Sequence, residues 1–303
     1  MSVSIPSTTR HQHPNTLAEK VSIQCADGVN LAAILCTSTQ PHAALMLSGG
    51  TGFKKEFYLP MAHFLAEHGF ATVVYDYRGT CESAPNDMRN CDYSYLDYGQ
   101  QDMPAVLNFL DDRFPALPKL IFGHSVGGQK VGLMPNLHKV KGLVCYATSV
   151  GYLTYMPWSY RLKSYYFFYL FAPISIALWG YVAAKRFKIM EDLPGRIVKQ
   201  WRAWCAQPDH YFDPKFYGKS VPRGSYAQMP FPIHVFWASD DPISNTQSVP
   251  GFWKHVKSAV GLSFQVLRPE DWNAKKIDHY GLFRVQFKDS LWREVLGALQ
   301  RML

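Results

Sequence analysis

The chain has 303 residues, of which 48% are apolar and 18% charged, a composition of folded globular proteins that excludes a polar, highly charged disordered chain. Its net charge of +8 is scattered in short groups, Lys54-Lys55, Lys185-Arg186-Phe187-Lys188 and Lys275-Lys276, which read as solvated surface; with no recognition motif or basic stripe, nucleic acid is excluded as a partner. Six cysteines at positions 25, 36, 81, 91, 145 and 205 form no Cys-x-x-Cys pair, so neither a zinc ribbon nor a disulfide scaffold is expected, and reduced thiols fit a cytoplasmic protein.

Residues 1–17, rich in Ser, Thr, Pro and His, are expected to form a flexible tail; they lack the basic start and apolar core of a secretory signal. Val21-Ser22-Ile23-Gln24 alternates apolar and polar, meets the turn-forming Asp27-Gly28 and resumes at Leu31-Ala32-Ala33-Ile34-Leu35, which predicts a β-hairpin. Ala43-Ala44-Leu45-Met46-Leu47 and Ala71-Thr72-Val73-Val74-Tyr75 are continuous apolar runs, the pattern of strands buried on both faces. Between them Met61, Phe64, Leu65 and His68 recur at helical spacing, with Gly69 as the C-terminal cap. Met103, Val106, Leu107 and Leu110 predict a second helix with Pro104 in its first turn, and Leu120-Ile121-Phe122 and Gly142-Leu143-Val144-Cys145-Tyr146 two more buried strands. After an interruption, Ile233-His234-Val235-Phe236-Trp237 and Leu262-Ser263-Phe264-Gln265-Val266 resume the strand signal, and Leu291, Val295 and Leu299 mark a closing helix. A hairpin followed by repeated strand–helix units predicts a mostly parallel central sheet flanked by helices, built from residues 18–147 and 230–303.

The interruption, residues 148–229, is rich in aromatics and reads as a helical lid or cap. Residues 165–184 are uncharged and flanked by Arg161, Lys163, Lys185 and Arg186, long enough to cross a bilayer. Pro173, Ser175 and four tyrosines make that span weakly hydrophobic, which favours a lid; a protein attached to the membrane through this segment is the alternative.

Gly123-His124-Ser125-Val126-Gly127 follows a buried strand and precedes a helix-compatible stretch, the setting in which a sharp turn lifts a serine hydroxyl above a sheet. The glycines leave room for that turn. A serine needs a base to take its proton and an acid to orient the base. His279, after the last strand and before the final helix, is the candidate base. The acid comes from Asp240-Asp241-Pro242, where the Asp-Pro step favours Asp241 over Asp240. For the oxyanion, backbone N–H groups are expected from Val126 and from the glycine loop Ser48-Gly49-Gly50-Thr51-Gly52-Phe53, with Gly50 first and Thr51 next. Thr51, Phe53 and Trp201 are the candidate substrate contacts.

With these landmarks go Phe57-Tyr58, Tyr75-Asp76-Tyr77-Arg78-Gly79, Gly128-Gln129, Gln200-Trp201-Arg202-Ala203-Trp204-Cys205 and His279-Tyr280-Gly281-Leu282-Phe283-Arg284. Together they resemble the α/β-hydrolase superfamily, within it a group of hydrolases defined by sequence, from about Val21 to the C-terminus. One departure is Thr80-Cys81-Glu82-Ser83, where that group tends to carry a second glycine. The resemblance implies a serine hydrolase with a Ser-Asp-His triad and a lid, and no particular substrate. The expected activity is hydrolysis of a carboxylic ester through an acyl-enzyme, on a small, apolar acyl substrate and without metal or organic cofactor. A thioesterase or acyltransferase would use the same triad.

Overall fold

A computed structural model of the chain describes residues 11–13 and 16–303. In chain order the elements are β1 (His11–His13), β2 (Thr16–Gln24), β3 (Asn30–Thr37), β4 (Ala43–Ser48), α1 (Leu59–Glu67), β5 (Phe70–Tyr75), α2 (Met103–Arg113), β6 (Lys119–His124), α3 (Val126–Gln129) and β7 (Val140–Tyr146). The insertion carries α4 (Trp158–Tyr165), α5 (Ala172–Trp179), β8 (Tyr181–Val182), β9 (Leu193–Pro194) and α6 (Gly195–Cys205). β10 (Ile233–Ala238), α7 (Ser248–Trp253), β11 (Leu262–Leu267) and α8 (Leu291–Gln300) complete the chain.

One sheet orders the strands β1-β2-β3-β5-β4-β6-β7-β10-β11, antiparallel from β1 to β5 and parallel from β5 to β11. Every residue of β4, β5 and β6 is buried, because both faces of the parallel part are covered. Successive residues serve opposite cores: Met46, Val73, Ile121 and Leu143 face the cluster under α2, whereas Leu45, Val74, Phe122 and Val144 face the one under α1 and α8. β2 begins at Thr16, inside the stretch expected to be a flexible tail, because its first residues pair with the end of β3 (Leu17 with Thr37). His11–His13, in the same stretch, also form a strand, β1, that pairs with Thr16–Ala18, and the rest of that expectation, residues 1–10, 14 and 15, lies outside the described residues. All six cysteines are free.

The insertion leaves β7 and returns at β10, its neighbour in the sheet. It divides in two by packing. Leu153, Met156, Phe167, Phe168, Phe171, Leu193 and Val198 form a separate apolar cluster, in the part of the insertion expected to act as a lid. Trp204, Tyr211, Phe212, Val221 and Tyr226 instead join the main core, so the later part of the insertion is scaffold. α4 runs without a break through a wider π-helical turn, Tyr166–Phe171, into α5, which ends at Gly180 in the left-handed conformation (φ 80°). Gly180 thus splits residues 165–184, and among the described residues no helix is long and apolar enough to cross a membrane.

Candidate active site

β6 ends at His124, and the chain turns sharply into α3 at Ser125, whose φ of 52° and ψ of −113° lie where side chains are strained by about 1–3 kcal/mol. The Ser125 N–H is held by the Tyr146 carbonyl at 2.9 Å. The turn is possible because its neighbours lack side chains: a Cβ on Gly123 would meet the Gly128 backbone at 2.6 Å, and one on Gly127 the Ser48 carbonyl oxygen at 2.1 Å. Val126 opens α3, so its N–H has no acceptor within the helix and points from the first turn.

The loops after β10 and β11 bring the partners. His279 Nε2 lies 3.1 Å from Ser125 Oγ, and His279 Nδ1 lies 2.8 Å from Asp241 Oδ2. Asp241 is buried, and its other oxygen accepts the Ile243 N–H at 2.7 Å, which fixes the carboxylate. Asp240 points elsewhere, accepting the N–H groups of Ile277 and Asp278 at 3.0 Å each, and so anchors the strand of chain leading into His279. Asp278 itself has φ 53° and caps the next turn by accepting from Tyr280 and Gly281.

Two sequence expectations need correction. Gly50 was the first choice for an oxyanion donor, but its N–H is donated to the Tyr58 hydroxyl at 2.7 Å. Thr51, the next N–H along the same loop, is the remaining candidate there. Lys55, read as solvated, is buried, because Asp76 Oδ2 and Glu82 Oε2 receive its ammonium at 2.8 and 2.7 Å, and Asp76 also accepts the Lys55 backbone N–H. This ion pair ties the glycine loop to the turn after β5. Lys185, Arg186, Lys188, Lys275 and Lys276 are exposed.

Behind the site runs a relay that sequence reading missed. The Gly50 N–H donates to Tyr58 Oη, the Tyr58 hydroxyl to His124 Nδ1 at 2.8 Å, and His124 Nε2–H to the His279 carbonyl at 2.8 Å. The acceptor-only carbonyl fixes the His124 tautomer, and with it the direction of every bond. Burial, with His279 beside it, pushes the His124 imidazole well below the usual histidine range, and burial pushes the Tyr58 phenol up, so both stay neutral. No local pattern marks Tyr58 as a partner of a residue 66 positions away.

Ser125 and His279 open into a cavity of about 440 Å³ that also contains Thr51, Phe53 and Trp201. Its further walls are mostly apolar, with Met156, Tyr160, Phe167 and Phe168 from the insertion, Tyr95 from below and Ile243, and its polar lining comes from Gln129, Ser149, Lys163 and Ser164. No Asp or Glu is among its described lining residues. Trp201 stacks edge-on against Phe168 at 4.9 Å, and Gln200, beside it, accepts the Tyr95 N–H at 2.6 Å, so α6 joins the lid to the cavity floor.

A serine on a strained strand-to-helix turn at the end of a central parallel strand, with an acid and a histidine from later strand ends, is the arrangement of the α/β hydrolases, and the chain is a member of that superfamily. A family model described as serine aminopeptidase, S33, matches residues 39–195, just over half of the chain, and the chain belongs to that family. Curated relatives include the mouse phospholipase ABHD3, 26% identical over 256 residues, 76% of this chain and 58% of that protein, and the human phospholipase ABHD3, 30% identical over 159 residues, 48% of this chain and 37% of that protein. The chain thus spans less than two thirds of the length of these relatives. Among solved structures it is similar to a soluble variant of monoglyceride lipase from Saccharomyces cerevisiae in complex with a substrate analog, with TM-score 0.64 and 12% identity over 99% of this chain and 96% of that one. The Pyrococcus furiosus esterase Pf2001 gives TM-score 0.61 and 15% identity over 94% and 90%. At these identities the likeness concerns the fold.

Proposed function

We propose that the protein hydrolyses carboxylic esters with apolar acyl groups, using Ser125 as nucleophile, His279 as base and Asp241 as orienting acid. The observation that carries this reading is the hydrogen-bonded chain from Asp241 through His279 to Ser125, opening into an apolar cavity. In this reading His279 holds its proton on Nδ1 against Asp241 and accepts the Ser125 proton at Nε2 as Oγ attacks the acyl carbonyl. The developing oxyanion is met by the N–H groups of Val126 and Thr51. The imidazolium then protonates the leaving alkoxide, and water, deprotonated by His279, releases the acid from the acyl-enzyme. An aminopeptidase must hold a cationic substrate terminus, and a cavity lined by Lys163 and no carboxylate is poorly suited to that. The named activity of the mouse and human relatives makes phospholipid esters one class to include in a substrate panel.

A fluorophosphonate probe should label Ser125, and Ser125→Ala should abolish both labelling and ester turnover. Undiminished labelling of that variant would remove Ser125 from the role. A panel of esters and thioesters of graded acyl length, with and without an alcohol acceptor, separates the esterase from the thioesterase and acyltransferase readings.

A further inference from the structure

The helical run formed by α4, the π-helical turn and α5 has apolar side chains on two sides. Phe167, Phe168 and Phe171 point inward into the lid cluster. Trp158, Leu162, Tyr166, Leu170, Ile174 and Leu178, spaced by four throughout, form an outer row, and each is 49–67% exposed. Each step of four carries the row about 40° around an α-helix, and the wider turn at Tyr166–Phe171 takes part of that rotation back, so the row winds slowly along the outside of the run with all six residues exposed. Of the sixteen large apolar residues exposed among the described residues, ten fall between Trp158 and Ile189. That is a patch, and scattered exposure does not produce one.

Charge identifies what would cover it. No Asp or Glu occurs between Asp112 and Glu191, whereas Arg161, Lys163, Lys185, Arg186 and Lys188 flank the row. Lys185 faces Glu191; the other four meet no carboxylate among the ion pairs of the described residues. The Arg161 and Arg186 guanidiniums lie over the rings of Trp158 and Trp179, at the two ends of the run. An apolar ridge with tryptophans at its ends and cations along its rim matches the interface of an anionic bilayer. A second copy of this chain would set the same cations against one another across a two-fold contact.

We propose that this row docks the protein on an anionic membrane surface, with the helical run lying in the plane of the interface. The cavity is continuous with that face, since Lys163 and Ser164 of the helix and Ile189 and Met190 of the following loop line it, and Lys163 and Ile189 are themselves exposed. An acyl chain drawn from the bilayer would then enter beside Ser125 without crossing water. This last step rests on the ester-hydrolase reading; the docking does not.

The test is co-sedimentation of the full chain with vesicles of phosphatidylcholine alone and of phosphatidylcholine with about one third phosphatidylserine. The wild type should pellet with the anionic vesicles, and Leu170→Gln/Ile174→Gln/Leu178→Gln should bind them at least about tenfold more weakly. Arg186→Gln/Lys188→Gln should weaken binding to the phosphatidylserine vesicles and leave binding to phosphatidylcholine alone unchanged. Glutamine preserves helix propensity and none of these residues lines the cavity, so fluorophosphonate labelling and turnover of a soluble short-chain ester should stay within about twofold of wild type. The proposal is overturned if the wild type stays in the supernatant with both vesicles, or if the triple variant pellets as the wild type does. It is also overturned by a dimer in the absence of vesicles that the triple substitution dissolves, which would assign the row to a second copy. Vesicle binding without turnover of any ester would support the docking and count against the hydrolase reading alone.

Discussion

Asp240 and Asp241 are adjacent in sequence and part in space, one toward two backbone N–H groups and the other toward His279. Their substitutions should therefore fail differently. Asp241→Asn leaves the imidazole without its charge and favours the wrong tautomer, so turnover should fall by about 10³ to 10⁴ with stability little changed. Asp240→Asn keeps one acceptor and loses the charge on two bonds, so its main effect should be on stability, about 1–3 kcal/mol, with a much smaller loss of turnover. Denaturant midpoints and kcat measured on both variants decide; a larger kinetic loss in Asp240→Asn with both folded would move the role by one residue. The Asp-Pro step directed attention to Asp241, but the same sequence carried no sign that Asp240 would hold the approach to His279. Gly50 teaches the converse: glycine leaves the backbone open to any acceptor, and here the acceptor is the Tyr58 hydroxyl.

At the scale of elements, the central strands were legible because they are buried on both faces and an apolar run between turn residues has few other solutions, while β2 and β11, which are partly exposed, were legible from alternation. Ser125 and Asp241 follow two strands of the buried kind, β6 and β10, whereas His279 lies well beyond β11, an edge strand that is only partly buried. Lys55 was not legible, because its burial depends on Asp76, 21 positions away, and a charged pair in sequence reads the same whether or not an anion waits for it. The insertion was recognised as one aromatic block, yet aromatics serve the lid at Phe167 and Phe168 and the core at Tyr211 and Phe212, and spacing does not separate the two. Trp201 is where they meet, touching Phe168 in the lid and lying 6.4 Å from Tyr95 below. Trp201→Ala should enlarge the cavity, shift the preferred acyl length upward and raise KM, while fluorophosphonate labelling of Ser125 stays within about threefold. An unchanged chain-length profile would show that substrates do not reach this wall.

For the whole molecule, the joint between core and insertion is closed over a lysine. Lys130, fully buried just after α3, lies 4.2–4.5 Å from the ring centroids of Trp204, Tyr211 and Tyr95 and has no hydrogen-bond acceptor among the described residues. Each ring can offer a desolvated cation about 2 kcal/mol or somewhat more, against a burial cost of several kcal/mol for an ion. Burial pushes the ammonium well below the ordinary lysine value, and the three rings act against that shift. The unfolded chain then binds a proton that the folded one releases, so this group makes stability rise with pH from the depressed value up to about 10.5. Lys130→Met should flatten that slope and raise stability at neutral pH, with a gain that grows as the pH is lowered toward the depressed value. Urea midpoints of both forms across pH about 6 to 9 measure it, and parallel curves would show that Lys130 carries its proton in the fold. The wider turn at Tyr166–Phe171 has a consequence for descent. It winds one extra residue into nearly the same rotation, so a loss of one residue within it would return the run to α-helical winding with its two ends still in phase. A residue gained or lost within α4 or α5 would instead rotate the ends by about 100° against each other, taking Phe167 and Phe168 out of the cavity or turning Leu170 and Ile174 inward, so the run can change length at this turn far more freely than on either side of it.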